Sequence, residues 1–316
     1  MPAVARTDWK VWSCDASVVV TSSAVLEGAT RIVHDIVREV DDACSRFRVD
    51  SELSELGSGL ATGRNVSPML ASLVQGALAA ASLTDGDVDP TMGNELASLG
   101  YDRDISALAA DRKLTEATLD IRVTERHPRW QDVRVSGRTL TVPADLSLDL
   151  GATAKAIAAD LAAANIAEQF GVGALVSLGG DIATAGNEPV DGWEVLVQDV
   201  PNDPSQQVSL ASGAAMATSS TQKRRWMSGG YARHHILDPR FGLPAEVVWR
   251  TVTVASSSCL LANSLSTASV VRGFGAVRWL EDLKVAARLV DAEGRVVTTS
   301  LWPTSTPELS VAGGAR

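Results

Sequence analysis

The chain has 316 residues and a mass of 33.1 kDa, with 45% hydrophobic residues, 21% charged residues and a formal net charge of −10. That length can bury a sizeable core, as one large domain or two modest ones. The acidic balance argues against a nucleic-acid partner, whose phosphates would be repelled, and no apolar run is long enough to span a bilayer.

Trp12–Thr21 is rich in β-branched residues and reads as a first strand. Glu27–Phe47 follows as an amphipathic helix, with Ile32, Val33, Ile36, Val37 and Val40 at helical spacing. Ser67-Pro68 opens a second helix, a serine cap with proline at the first helical position, which runs to Ser82. A charged region follows, and 102–130 is expected to be a peripheral insertion. Val133–Val135 and Thr139–Val142 form a hairpin across Ser136-Gly137-Arg138. The middle third supplies a strand at Ser147–Leu150, an alanine-rich helix at Ala152–Phe170 and a strand at Ala174–Leu178. Further strands are expected at Trp193–Gln198, Gln207–Leu210, Ala214–Ala217, His234–Leu237 and Val248–Ala255. A helix then runs from Ser257 or Ser258 to about Val271, and a shorter one ends near Leu280. Val285–Asp291 and Arg295–Thr299 close a last hairpin. The pattern predicts an α+β fold of mixed, largely antiparallel sheets packed with helices, as a single domain over 1–305 with a tail at 306–316. Cys14, Cys44 and Cys259 are an odd set at spacings that suit neither a disulfide framework nor a zinc site. Met1–Lys10 holds Arg6, Asp8 and Lys10 where a secretory core would be apolar, so a cytoplasmic protein is expected, with no membrane partner.

Four segments carry chemistry-bearing residues. His235-Ile236-Leu237-Asp238-Pro239-Arg240-Phe241-Gly242-Leu243-Pro244 is a proline-punctuated turn that presents a histidine and an aspartate at a rigid corner; a plain Asp-Pro turn explains the segment equally. Leu148–Ala156 places Asp149, a glycine and Lys155 at a helix start, which suits an anion such as phosphate, although such turns are also common without one. Asn263 and Thr267, four apart, project oxygens from one helix face. Such oxygens can ligate a small hard cation or form a polar stripe under a sheet. Thr218-Ser219-Ser220-Thr221 before Lys223-Arg224-Arg225 offers hydroxyls and positive charge to phosphate oxygens, or is a solvated basic loop. Gly179-Gly180, after a hydrophobic strand and before Asp181, allows close approach of a ligand or of backbone.

In this order the segments resemble the ApbE-like FAD:protein FMN transferase family, from about Trp12 to Pro303. The matching pieces are Cys44-Ser45-Arg46-Phe47 with Asp50-Ser51-Glu52-Leu53, Asp89-Pro90-Thr91-Met92-Gly93, and the Leu148–Ala156 run. Leu178-Gly179-Gly180-Asp181, Ala217-Thr218-Ser219, the His235–Pro244 turn, and Thr251–Val254 before Ala262–Thr267 complete the set. The resemblance implies a cleft that binds FAD and, with magnesium, moves its FMN half onto a threonine of an acceptor protein, releasing AMP. It implies that Phe47, Leu99, Gly100 and Tyr101 line the cleft and that Asp149, Lys155, Thr218 and Ser219 contact FAD. Ile236 would back the flavin, and His235 would accept the proton of the incoming hydroxyl. The Ala152 carbonyl, Asn263 and Thr267 would hold the metal. The family pattern carries an aspartate where this chain has Asn263, and a neutral amide is a poorer magnesium ligand. Ser220, Phe241 and Leu99 also depart from the pattern. The expectation is therefore an FAD-holding protein with magnesium binding and FMN transfer weak or lost. The alternative is an active transferase serving a flavin-acceptor protein.

Overall fold

A computed structural model of the chain describes residues 4–110 and 127–304. Its centre is an eight-stranded sheet, whose strands are β1 (Ala5–Val11), β2 (Cys14–Val20), β3 (Ala174–Leu178), β4 (Asp181–Ala185), β5 (Ala215–Ser220), β6 (Trp249–Ser256), β7 (Ala286–Asp291) and β8 (Val296–Thr298). The spatial order equals the chain order, and each neighbouring pair is antiparallel. Three helices bear on the site, α1 (Leu26–Cys44), α3 (Ala154–Phe170) and α4 (Cys259–Arg272), while α2 (Pro68–Leu83) packs into the core behind them.

Period-two alternation gives the sheet two buried faces. Ala16, Val18 and Val20 of β2, with Ala174, Val176 and Leu178 of β3, point toward the helices, where α1 packs Val33, Ile36, Val37 and Val40. The alternate residues Val19, Leu175, Ile182 and Met216 meet a separate ribbon, Trp193–Val197 paired with Gln206–Leu210, together with Trp302. Alanines supply much of the buried face of α3, which brings that helix close to its neighbours.

Several expected elements shift. The first strand is a hairpin: β1 pairs residue by residue with β2 around Trp12-Ser13, both at positive φ (50° and 57°). Ser13 Oγ donates to Asp104 Oδ1 at 2.8 Å and Trp12 Nε1 to Asp41 Oδ1 at 3.1 Å, which pins this tip over the cleft. Ser147–Leu150 is not a strand. Its backbone instead engages the Pro90–Gly93 segment, through Asp149 N to Pro90 O (2.8 Å) and Gly93 N to Ser147 O (3.0 Å). Strand β5 continues through Thr218, Ser219 and Ser220, beyond the expected end at Ala217. The strand expected over His234–Leu237 divides into Tyr231–His234, paired with Arg225–Ser228, and a two-residue bridge at Leu237–Asp238. His235 and Ile236 lie between these two pairings. Ser67 caps α2 as expected, accepting from Leu70 N at 3.0 Å. Much of the expected insertion (residues 111–126) and the 306–316 tail lie outside the described residues.

Candidate functional site

A cleft of about 270 Å³ opens where α1, the start of α3, strands β4 and β5, and α4 converge. Its residues arrive from distant parts of the chain, and they divide into an aromatic end and a polar end.

The aromatic end is organised by Arg46, which follows the C-terminus of α1. Its guanidinium lies 4.4 Å from the Phe47 ring centroid and 4.6 Å from that of Tyr101. The same group pairs with Asp149 and donates to the Tyr101 carbonyl, so one cation braces three walls of the cleft. Behind Tyr101, Trp226 stacks at 5.0 Å and donates from Nε1 to the Leu99 carbonyl at 2.9 Å. Phe47 meets Tyr101 edge-on at 5.6 Å and is 38% exposed, free to touch a ligand. Leu99 is buried under this layer, and neither it nor Gly100 lines the cleft. Tyr101 presents the surface expected of that stretch.

At the polar end, Gly151 and Lys155 stand at the start of α3. Lys155 Nζ donates to Gly151 O at 3.2 Å and lies 3.6 Å from Asp181 Oδ2. Asp181 is buried at the head of β4, directly after Gly179 and Gly180, whose φ angles of 70° and 99° turn the chain into the cleft. Asn263 Nδ2 donates to Asp181 Oδ1 at 2.8 Å, while Asn263 Oδ1 is buried with no hydrogen-bond partner. Ser219 Oγ is 2.8 Å from both Ser266 Oγ and Thr267 Oγ1, which ties β5 to α4. Ser220 Oγ donates to the buried carboxylate of Asp199, which also takes Thr251 Oγ1 (2.9 Å) and pairs with Lys223 (3.1 Å).

His235 borders the cleft between the two ends, with Ile236 beside it. Burial, reinforced by the positive charges of Arg224 and Lys155, holds its imidazole well below the ordinary histidine range, so the ring is neutral at pH 7. Its Nδ1 is buried without a partner. Asp238, the other polar group of that corner, is not presented to the cleft. Its carboxylate accepts from Arg240 N (2.9 Å) and from the Arg240 guanidinium (2.6 Å), closing the turn on itself. Cys44 also lines the cleft, but burial first, then Asp149 and Asp41, push its thiol up to about 12, which removes it as a nucleophile.

The structure thus gathers Phe47, Tyr101, Asp149, Ala152, Lys155, Thr218, Ser219, His235, Ile236, Asn263 and Thr267 around one space. Residues 10–289 match the ApbE family. The chain belongs to that family. Among curated ApbE relatives, it is 31% identical over 231 residues to the FAD:protein FMN transferase of Rhodobacter capsulatus, covering 70% of this chain but 42% of that protein. The corresponding figures for the FAD:protein FMN transferase of Vibrio cholerae are 27% identity over 75% of this chain and 71% of the relative. Among solved structures, an ApbE protein from Thermotoga maritima aligns with TM-score 0.78 at 24% identity, over 94% of this chain and 97% of that one. The apo flavinyl transferase ApbE of Pseudomonas stutzeri aligns with TM-score 0.76 at 25% identity, over 94% and 95%. The α+β fold with mostly antiparallel sheets is the ApbE fold. Among the described residues no helix is long and apolar enough to cross a membrane.

Asp181 and Arg46 were passed over as site residues, although both stand inside the matching motifs. The available signal was a carboxylate immediately after a paired glycine, and an arginine immediately before the cleft phenylalanine.

Proposed function

We propose that this chain is an FAD:protein FMN transferase that moves the FMN half of FAD onto a hydroxyl of an acceptor protein and releases AMP. The observation that carries this reading is a neutral histidine bordering a cleft with an aromatic wall at one end and oxygen ligands beside a lysine at the other. Phe47, Tyr101 and Ile236 offer apolar surface to a flavin ring. Lys155, in the first turn of α3, faces the place for a pyrophosphate, and the positive end of that helix favours the same charge.

Binding places the FMN-side phosphorus near His235. The acceptor hydroxyl attacks that phosphorus, its proton passes to the unprotonated ring of His235, and the bond to the AMP oxygen breaks with its electron pair leaving on AMP. A new phosphoester joins FMN to the acceptor. Lys155 offsets charge that builds on the phosphates. The donor set suits a divalent cation: Asn263 Oδ1 is a buried acceptor without a donor, and the Thr267 hydroxyl and Ala152 carbonyl border the same cleft. A magnesium ion held by these residues would supply Lewis-acid stabilisation of the negative charge that builds on the leaving group.

Asn263 favours a second reading, in which the chain holds FAD and transfers FMN weakly or not at all, because the amide brings no charge of its own. One experiment separates the two. Purified protein is incubated with FAD, Mg²⁺ and an acceptor bearing a target threonine, and protein-bound flavin fluorescence and AMP are counted. Transfer predicts one AMP per bound flavin and loss of both in His235→Ala. FAD binding without AMP release supports holding, and absence of FAD binding refutes both.

A further inference from the structure

We infer that the buried carboxylate of Asp181 supplies the negative charge of the divalent-cation site in this chain, acting through the Asn263 amide to which it is bonded. The inference rests on the cation site of the proposed transferase and adds a residue to it.

Asn263 is 6% exposed, and its amide is fixed in one sense. The N–H side is consumed by Asp181 Oδ1 at 2.8 Å, which turns Oδ1 away, buried and without a donor. A buried acceptor in that condition calls for a cation or an N–H or O–H group, and the described residues provide none. A hydrogen bond from the amide to a carboxylate also raises electron density on the amide oxygen, so the pair behaves as a ligand with a charged partner behind it. Among the described residues the second Asp181 oxygen pairs with Lys155 at 3.6 Å, a loose ion pair that leaves most of the carboxylate's charge to the amide side. The remaining oxygens are the Ala152 carbonyl, Thr267 Oγ1 and, behind it, the hydroxyls of Ser219 and Ser266. An all-oxygen set with one carboxylate selects a hard ion such as Mg²⁺ or Mn²⁺ over a thiolate- or imidazole-seeking metal. Among the described residues no group of three or more histidine, cysteine, aspartate or glutamate side chains is placed to hold a metal without such help.

The test is titration of Mn²⁺ alone into the full-length protein, with free Mn²⁺ read by electron paramagnetic resonance. Removing a charged partner behind a ligand weakens binding on the order of 10–100-fold, so Asp181→Asn should lose that much affinity. The charge swap Asp181→Asn with Asn263→Asp should restore it, and Asn263→Asp alone should bind at least tenfold tighter than the parent. Parent-like affinity in Asp181→Asn overturns the inference, as does a parent that takes up no Mn²⁺. If Asp181→Asn does not fold, Asn263→Asp decides by itself, and unchanged affinity there overturns the inference. Covalent flavin and AMP are scored separately. Transfer by the parent, together with undiminished Mn²⁺ binding by Asp181→Asn, leaves the transferase reading standing and removes only this one.

Discussion

Arg46→Met is the most informative single perturbation of the cleft. The Arg46 and Asp149 side chains are 16% and 14% exposed, so the methionine leaves Asp149 largely buried, with the Gly151 N–H (2.9 Å) as its remaining hydrogen-bond donor among the described residues. Breaking one side of a buried pair costs about 3–5 kcal/mol. The residual solvent access of this pair places it at the lower edge, about 3 kcal/mol. Loss of the stacks on Phe47 and Tyr101 adds about 0.5 kcal/mol each, for a total near 4 kcal/mol. Much of that cost is the abandoned carboxylate, so Arg46→Met with Asp149→Asn should recover about half of it. Arg46→Lys should recover part of it, because an ammonium can pair with Asp149 but cannot also cover both rings and form the planar pair. The assay is urea unfolding of the parent, both single variants and the double variant, followed by circular dichroism. A double variant no more stable than Arg46→Met would refute the reasoning, since the stranded charge would then carry no part of the loss.

Other outcomes follow from the same geometry. His235 resists protonation in the folded state but not in the unfolded one. Below about pH 6.5 the unfolded chain therefore binds the extra proton, and stability falls as pH falls. His235→Gln should flatten part of that acid loss, measured as the urea midpoint at pH 5.5 against pH 7.5; an unchanged slope would contradict the assignment. Gly179→Ala should cost about 1–2 kcal/mol from its left-handed backbone alone, and its Cβ would also sit 2.9 Å from Cys14 Sγ. Thermal unfolding should show the drop, and a melting temperature equal to the parent's would refute it. Asp199→Ala strands the Ser220 and Thr251 hydroxyls and frees Lys223, which should cost about 1–3 kcal/mol for each buried group left unpaired.

What sequence reading recovered depended on how local the signal was. Ser67-Pro68 announces α2 because the cap and the fixed φ act within four residues, and the structure keeps that start. The α+β class and the flanking helices follow from periodicity in the same way. β1 carries Arg6, Asp8 and Lys10 on its solvent face, as befits an edge strand, and their alternation with Thr7, Trp9 and Val11 was a strand signal that the charge-based reading of Met1–Lys10 left unused. Ser147–Leu150 shows the opposite failure: Leu148, Asp149 and Leu150 read as strand, but their backbone partners sit at Pro90–Gly93, some fifty residues away. The cleft residues were legible through the ApbE resemblance, motif by motif. The Asn263–Asp181 bond was not, since no pattern within either motif reports a contact across 82 positions. Leu99, which the resemblance implies in the cleft, is buried, and its carbonyl accepts from Trp226, a partner far along the chain.

Strand β2 ends at Val20 and its neighbour β3 begins at Ala174, so the span between them leaves the sheet and returns beside its point of departure. That detour carries Arg46, Phe47, Tyr101 and Asp149, one entire side of the binding space. Closing a roughly 150-residue detour is so costly already that lengthening it by about twenty residues adds only about 0.1 kcal/mol. Natural variation can therefore lengthen or shorten the loops of this wall at little closure cost while the opposite wall stays tied to adjacent strands. Differences among relatives in what they accept should accumulate on the detour, with the sheet carrying few of them.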